Sequence, residues 1–73
     1  MGGNQMNRIK RELALRDQLR NEIDQIRNTG EVNMFDVPNV KRLAYYYNCH
    51  ELIRFLEERR ADYINFILTG NFE

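Results

Sequence analysis

The stretch that most constrains this chain runs from Cys49 to Thr69, CHELIRFLEERRADYINFILT. Leu52, Phe55, Leu56, Tyr63, Phe66 and Ile67 recur at helical spacing along one side, and Ile53 and Ile64 widen that side to about half the circumference. Arg54, Glu57, Glu58 and Asp62 take the other side. Arg54 with Glu58 and Arg59 with Asp62 have the spacing of surface ion pairs, which marks a solvated face. Asn48 can cap the free N–H groups of a first turn and Glu51 can reach back to it, so the helix is expected to start at Cys49. Gly70 supplies the left-handed residue that ends a helix after Thr69 and leaves Asn71–Glu73 as a short flexible tail, whose Phe72 either folds back onto the last turn or stays mobile. So broad an apolar side must be covered by other helices.

The preceding chain supplies them. From Met6 or Asn7 to about Asn28 there is no Pro or Gly, and strong helix formers fill most positions, with Met6, Ile9, Leu13, Leu15, Leu19, Ile23 and Ile26 on one broad apolar side. Residues 1–5 are expected to fray. Gly30 closes this helix as a left-handed residue. Asp36 is the expected cap of a shorter helix, with Pro38 tolerated in its first turn, Met34 or Phe35 stapled onto Val40, and Val37, Val40, Leu43, Ala44 and Tyr47 packing inward. The expected fold is therefore all-α: long helix, short helix, tight turn at Asn48, long helix, in one small domain spanning residues 1–73.

A core in a chain of 73 residues supplies only about 3–5 kcal/mol of net stability. The first helix exceeds what a monomer of this size covers easily, so a bundle completed by homodimerisation is expected, with a monomeric three-helix bundle as its rival. Eleven basic and eleven acidic residues give a formal net charge of zero, which argues against a nucleic-acid clamp and against a nucleic-acid mimic on charge alone. The single Cys49 excludes an internal disulfide framework and fits a reducing compartment. No apolar run approaches the ~18–20 residues of a membrane span, and the start MGGNQMNRIKR lacks the apolar core of a signal peptide, so a cytoplasmic location is expected.

Catalytic chemistry finds little to use. Cys49 and His50 are adjacent, there is no second histidine, and no acid is spaced to complete a nucleophile, base and orienting group. One Cys and one His cannot supply a four-ligand zinc site. Glu57, Glu58 and Asp62 lack a calcium-loop context and adjoin Arg59 and Arg60, and the isolated glycines match no phosphate loop. No enzyme, metal or cofactor is expected, and Cys49 reads as a packing thiol.

Tyr45-Tyr46-Tyr47 stands out. Three successive helical residues span 200° and cannot all face one core, so at least one ring meets solvent, another subunit or a ligand. Tyrosine suits interfaces because a large rigid ring carries a polar tip. Tyr45 and Tyr46, with Arg42 and Arg54, are the candidate partner-binding residues; the bland alternative packs Tyr47 inward and lays the other two along its flanks. A short helix, a tight turn and a helix from Cys49 also match a helix-turn-helix layout, with Lys41, Arg42, Arg54, Arg59 and Arg60 as phosphate contacts. Against DNA stand Glu57 and Glu58 in the middle of the recognition helix, and its excess of apolar surface.

The segments NTGEVNMFDVPNVKRLA and ELIRFLEERRADYINFILTG, covering about Ile23 to Gly70, resemble a family of short proteins of bacteriophages and Firmicutes prophages that is known only as a domain of unknown function. Thr29-Gly30, Asn33 to Val37, Glu51-Leu52, and Tyr63 with Phe66 to Gly70 carry the likeness. The resemblance implies a phage origin and a life in the cytoplasm of the infected bacterium, and it lends no catalytic residues. The function expected from residues and resemblance together is that of a non-enzymatic phage accessory protein. It would bind a host protein and inhibit or modulate a host defence or enzyme. The alternative is a helix-turn-helix-like DNA-binding regulator.

Overall fold

The computed structural model describes the backbone of residues 2–72 and the side chains of residues 14–72. Four helices follow one another: α1 (Gly2–Thr29), α2 (Val37–Tyr46), α3 (His50–Glu58) and α4 (Arg60–Thr69). The all-α expectation holds, and no strand occurs among the described residues. α1 begins at Gly2 rather than at Met6 or Asn7; its first-turn N–H groups lack intrahelical partners in any case, so the two glycines there forfeit little.

α3 sits at the centre and packs against α1, α2 and α4. The core gathers Leu19, Ile23 and Ile26 from α1, Val37, Val40, Leu43 and Ala44 from α2, Cys49, Leu52, Ile53 and Leu56 around α3, and Tyr63 and Phe66 from α4. Each set follows from its helical period, with residues three and four apart on one face. Gly30 (φ 67°) and Gly70 (φ 79°) adopt the left-handed conformation expected after α1 and α4. Of the long apolar side read along the first helix, Leu19, Ile23 and Ile26 are buried and Leu15 is 43% exposed; Met6, Ile9 and Leu13 lie outside the described side chains.

Two expectations are corrected. The stretch from Cys49 to Thr69 is two helices, not one: Arg59 (φ −140°, ψ 52°) leaves helical geometry, ending α3 and preceding α4. Uninterrupted, that stretch would extend for about 30 Å, well beyond the ten-residue α2, and would carry its second half off the bundle. The bend brings Tyr63 back, so that its hydroxyl donates to the Met34 carbonyl at 2.6 Å. Glu57 to Ala61 are all exposed, so water satisfies the backbone groups freed by the bend. The apolar set keeps its phase across it.

The second correction concerns capping. Asn48 does not cap α3 with its side chain; it takes a left-handed backbone conformation (φ 59°), Cys49 occupies the cap position, and the side chain of Cys49 makes no capping bond. The cap comes from another helix. Glu22 of α1, 6% exposed, accepts the Leu52 N–H at 3.0 Å through Oε1, and accepts from Gln18 Nε2 at 2.7 Å through Oε2. A carboxylate at the N-terminus of α3 meets the positive end of the helix dipole as well as an unpaired N–H. Asp36 does stand at the cap of α2, but its carboxylate accepts from the Asn39 side-chain amide at 2.7 Å.

Candidate functional site

α2 is buried along Val37, Val40, Leu43 and Ala44, so the opposite side of this helix is set outward by its own packing. That side carries Arg42, Tyr45 and Tyr46, with Tyr45 57% and Tyr46 77% exposed. Arg42 lies one turn from both tyrosines, at i+3 and i+4, which places the three on one continuous patch. Tyr47 turns inward and packs on the core, and the Tyr46 ring meets it edge to face at 5.0 Å between centroids. The triplet thus divides as the helical angle requires: one ring inward, two outward. Arg42 forms no ion pair among the described residues, whereas the neighbouring Lys41 reaches Glu57 of α3 at 3.1 Å.

Arg54 belongs to a different feature. It pairs with Glu58 at 3.7 Å and lines a groove of about 370 Å³, to which neither Tyr45 nor Tyr46 contributes. Leu15 and Leu19 of α1, Phe55 of α3 and Phe72 form the apolar floor, and Arg16, Glu51, Arg54, Glu58, Arg59 and Asp62 form the rim. The chain after Gly70 folds back into this region: Phe72 stacks on Phe66 at 4.2 Å between centroids and meets Phe55 edge to face at 5.9 Å. The Arg20 guanidinium lies 5.6 Å from the centroids of both Phe66 and Phe72, a cation–π arrangement that holds this tail against α1. Sequence reading did not assemble the groove, because its walls come from three helices and the tail.

Cys49 is buried, its Sγ 3.7 Å from Gln25 Oε1. Burial, and then the negative charge of Glu22, pushes its thiol above the ordinary value, the opposite of what a nucleophile needs. Tyr63, fully buried, is pushed up to about 12 by desolvation, partly offset by Arg27. Among the described residues no three His, Cys, Asp or Glu side chains converge as a metal site would require, and no helix is long and apolar enough to cross a membrane.

No curated protein and no solved structure matches the chain. A family model described as a domain of unknown function, DUF5049, matches residues 15–71. That span takes in the whole buried core, the α2 patch and nearly all of the groove, so the chain belongs to the DUF5049 family.

Proposed function

We propose that this protein is a small phage accessory protein without catalytic activity of its own, which acts by binding a protein of the bacterial host in the host cytoplasm. Binding through the α2 patch of Arg42, Tyr45 and Tyr46 blunts a defence system or redirects a host enzyme. The observation that carries this reading is the exposure of two adjacent tyrosines, 57% and 77%, on a helix whose other side is fully occupied by the core. Large rigid rings beside an arginine that has no ion pair among the described residues are the residue types that dominate binding energy at protein interfaces. The likeness of NTGEVNMFDVPNVKRLA to short phage proteins supports the origin.

The test is affinity capture from the bacterial host with the tagged protein beside a Tyr45→Ala/Tyr46→Ala variant. The expected result is a host protein retained by the first and lost with the second. Both rings lie outside the core, and the edge-to-face contact of Tyr46 with Tyr47 is the main packing lost, so the variant should melt within about 1 kcal/mol of the parent. Loss of the partner by a variant of nearly unchanged stability separates recognition from packing. A folded bait that retains nothing, where a control bait works, sinks the reading.

A second reading, a DNA-binding regulator, is favoured by the tight turn at Asn48 joining α2 to α3. The outward side of α3 presents His50, Arg54, Glu57 and Glu58, with Arg54 already paired to Glu58, which weighs against phosphate contact. Duplex binding whose affinity falls with salt is the result this reading requires.

A further inference from the structure

We propose that the groove of Leu15, Leu19, Phe55 and Phe72 is the docking site for a second copy of this chain. The two α1 helices lie antiparallel and cross at Leu15, so that the first half of each lies along the groove of the other. The inference rests on α1 and the groove and is independent of the tyrosine patch.

The length of α1 motivates it. Its 28 residues extend about 42 Å at 1.5 Å per residue, close to the 46 Å long axis of the whole molecule, whose other dimensions are 24 and 20 Å. Among the described side chains of α1 burial begins at Leu19, and Ala14 to Gln18 are all exposed. The α1 backbone runs roughly 25 Å ahead of Leu19, with the groove at the inner end of that run.

Area selects the occupant. A stable interface buries about 800 Å² on each partner, roughly 20–30 residues a side, and the ten residues that line the groove cannot supply that alone. A two-fold pairing covers the first half of both α1 helices and both grooves at once, because each copy gives the same patch it receives. A short peptide would cover the groove and leave the exposed stretch Ala14 to Gln18 beside it largely uncovered.

Charge does not oppose that choice. Glu51, Glu58 and Asp62 on the rim of the groove are balanced by Arg16, Arg54 and Arg59. The zero net charge of the chain adds no long-range repulsion between copies.

Sedimentation velocity over a concentration series of the full chain is the test, with Leu15→Glu as the variant. The expected result is a species of twice 8.8 kDa for the parent, and a dissociation constant roughly tenfold higher or more for Leu15→Glu. Leu15 is already 43% exposed, so the glutamate leaves the monomer core alone. Should the variant not fold, Leu15→Cys decides. The native Cys49 is buried, and a cysteine at the crossing point comes within disulfide reach of its symmetry mate. Diamide should then cross-link Leu15→Cys and leave Tyr46→Cys largely single. A parent that stays at 8.8 kDa throughout overturns the proposal, and so does a dimer indifferent to Leu15→Glu. In the non-folding case, no cross-link from Leu15→Cys where the parent is dimeric overturns it equally.

Discussion

Replacing Glu22 by alanine removes two acceptors from the interior, and the structure allows the consequence to be worked out. Oε1 holds the Leu52 N–H at 3.0 Å and Oε2 holds the Gln18 amide at 2.7 Å. A hydrogen bond to a charged acceptor contributes about 1.5–3 kcal/mol, and the loss of an N-cap costs about 0.5–2 kcal/mol. For Leu52 these describe the same bond and are not added. The Gln18 contact, four residues away on the same helix, adds about 0.2–0.5 kcal/mol. Glu22→Ala should therefore cost about 2–3 kcal/mol, half or more of what a core of this size provides, and lower Tm by about 10–20 °C. Glu22→Gln keeps the shape and one acceptor oxygen, and loses the attraction of the charge to the helix terminus, so about 1 kcal/mol is expected. Urea unfolding followed by helical circular dichroism at one fixed protein concentration measures both. Exchange of the Leu52 amide should accelerate in the alanine variant beyond its global loss. Because Glu22 is one of the causes that raise the Cys49 thiol, Glu22→Gln should also lower the pH at which that thiol reacts, while burial keeps it above an ordinary cysteine. A loss below about 0.5 kcal/mol for alanine, or a glutamine variant as costly as alanine, would refute the capping role.

Two further outcomes test the packing. Tyr63 is raised from 10.0 to about 12 in the fold, so its contribution is intact below pH 10 and is lost as the pH rises towards 12, because the unfolded chain ionises first; about 3 kcal/mol of alkaline destabilisation follows. Unfolding measured from pH 8 to 12 in a Cys49→Ala background, which removes the other raised group, should show this loss, and Tyr63→Phe should abolish it; a pH response that survives the phenylalanine refutes the assignment. Asn48 holds a left-handed φ of 59°, so Asn48→Gly should be neutral or slightly stabilising and Asn48→Ala should cost about 1 kcal/mol; equal midpoints for the two variants in urea would show that the turn relaxes.

The sequence carried most of the fold and little of its joints. Positions fixed by period or by glycine chemistry were legible: the inward side of α2, the burial of Leu52, Ile53, Leu56, Tyr63 and Phe66, and the left-handed Gly30 and Gly70. The bend at Arg59 was not, because the apolar phase runs through it unbroken and no Gly or Pro marks it. The local charges even argue against it, with Glu57 and Glu58 at the negative end of α3 and Arg60 at the positive end of α4. Only the tertiary demand to return Tyr63 to Met34 sets it, and that demand joins residues 29 apart. Glu22 left one trace, a carboxylate between Leu19, Ile23 and Ile26 on a buried stripe, where a charge requires a partner. Its partner lies 30 residues away and is a backbone N–H, which no side-chain pattern announces. The tyrosine patch was legible because 100° per residue forbids three rings on one side; the groove was not, since three helices and Phe72 build it.

The central place of α3 explains where surface remains for binding. α3 meets all three other helices, and the charges on its narrow outward strip are already paired, Glu57 with Lys41 and Arg54 with Glu58. An external partner on that strip would have to displace pairs that the fold has formed within itself. The outer side of α2 faces no such competition, because Arg42 has no ion pair among the described residues and Tyr45 and Tyr46 are mostly exposed. The groove differs again: its rim carries the pairs Arg54–Glu58 and Arg59–Asp62, but its floor is apolar and half open at Leu15. An occupant can gain apolar contact there and leave the rim pairs in place. The patch and the groove lie on different elements and share no side chain, so substitutions in one should act independently of substitutions in the other. Additivity between Leu15→Glu and the tyrosine pair would mean that self-association and partner recognition are separate properties of one bundle. Strong coupling would mean that a single interface had been divided in two.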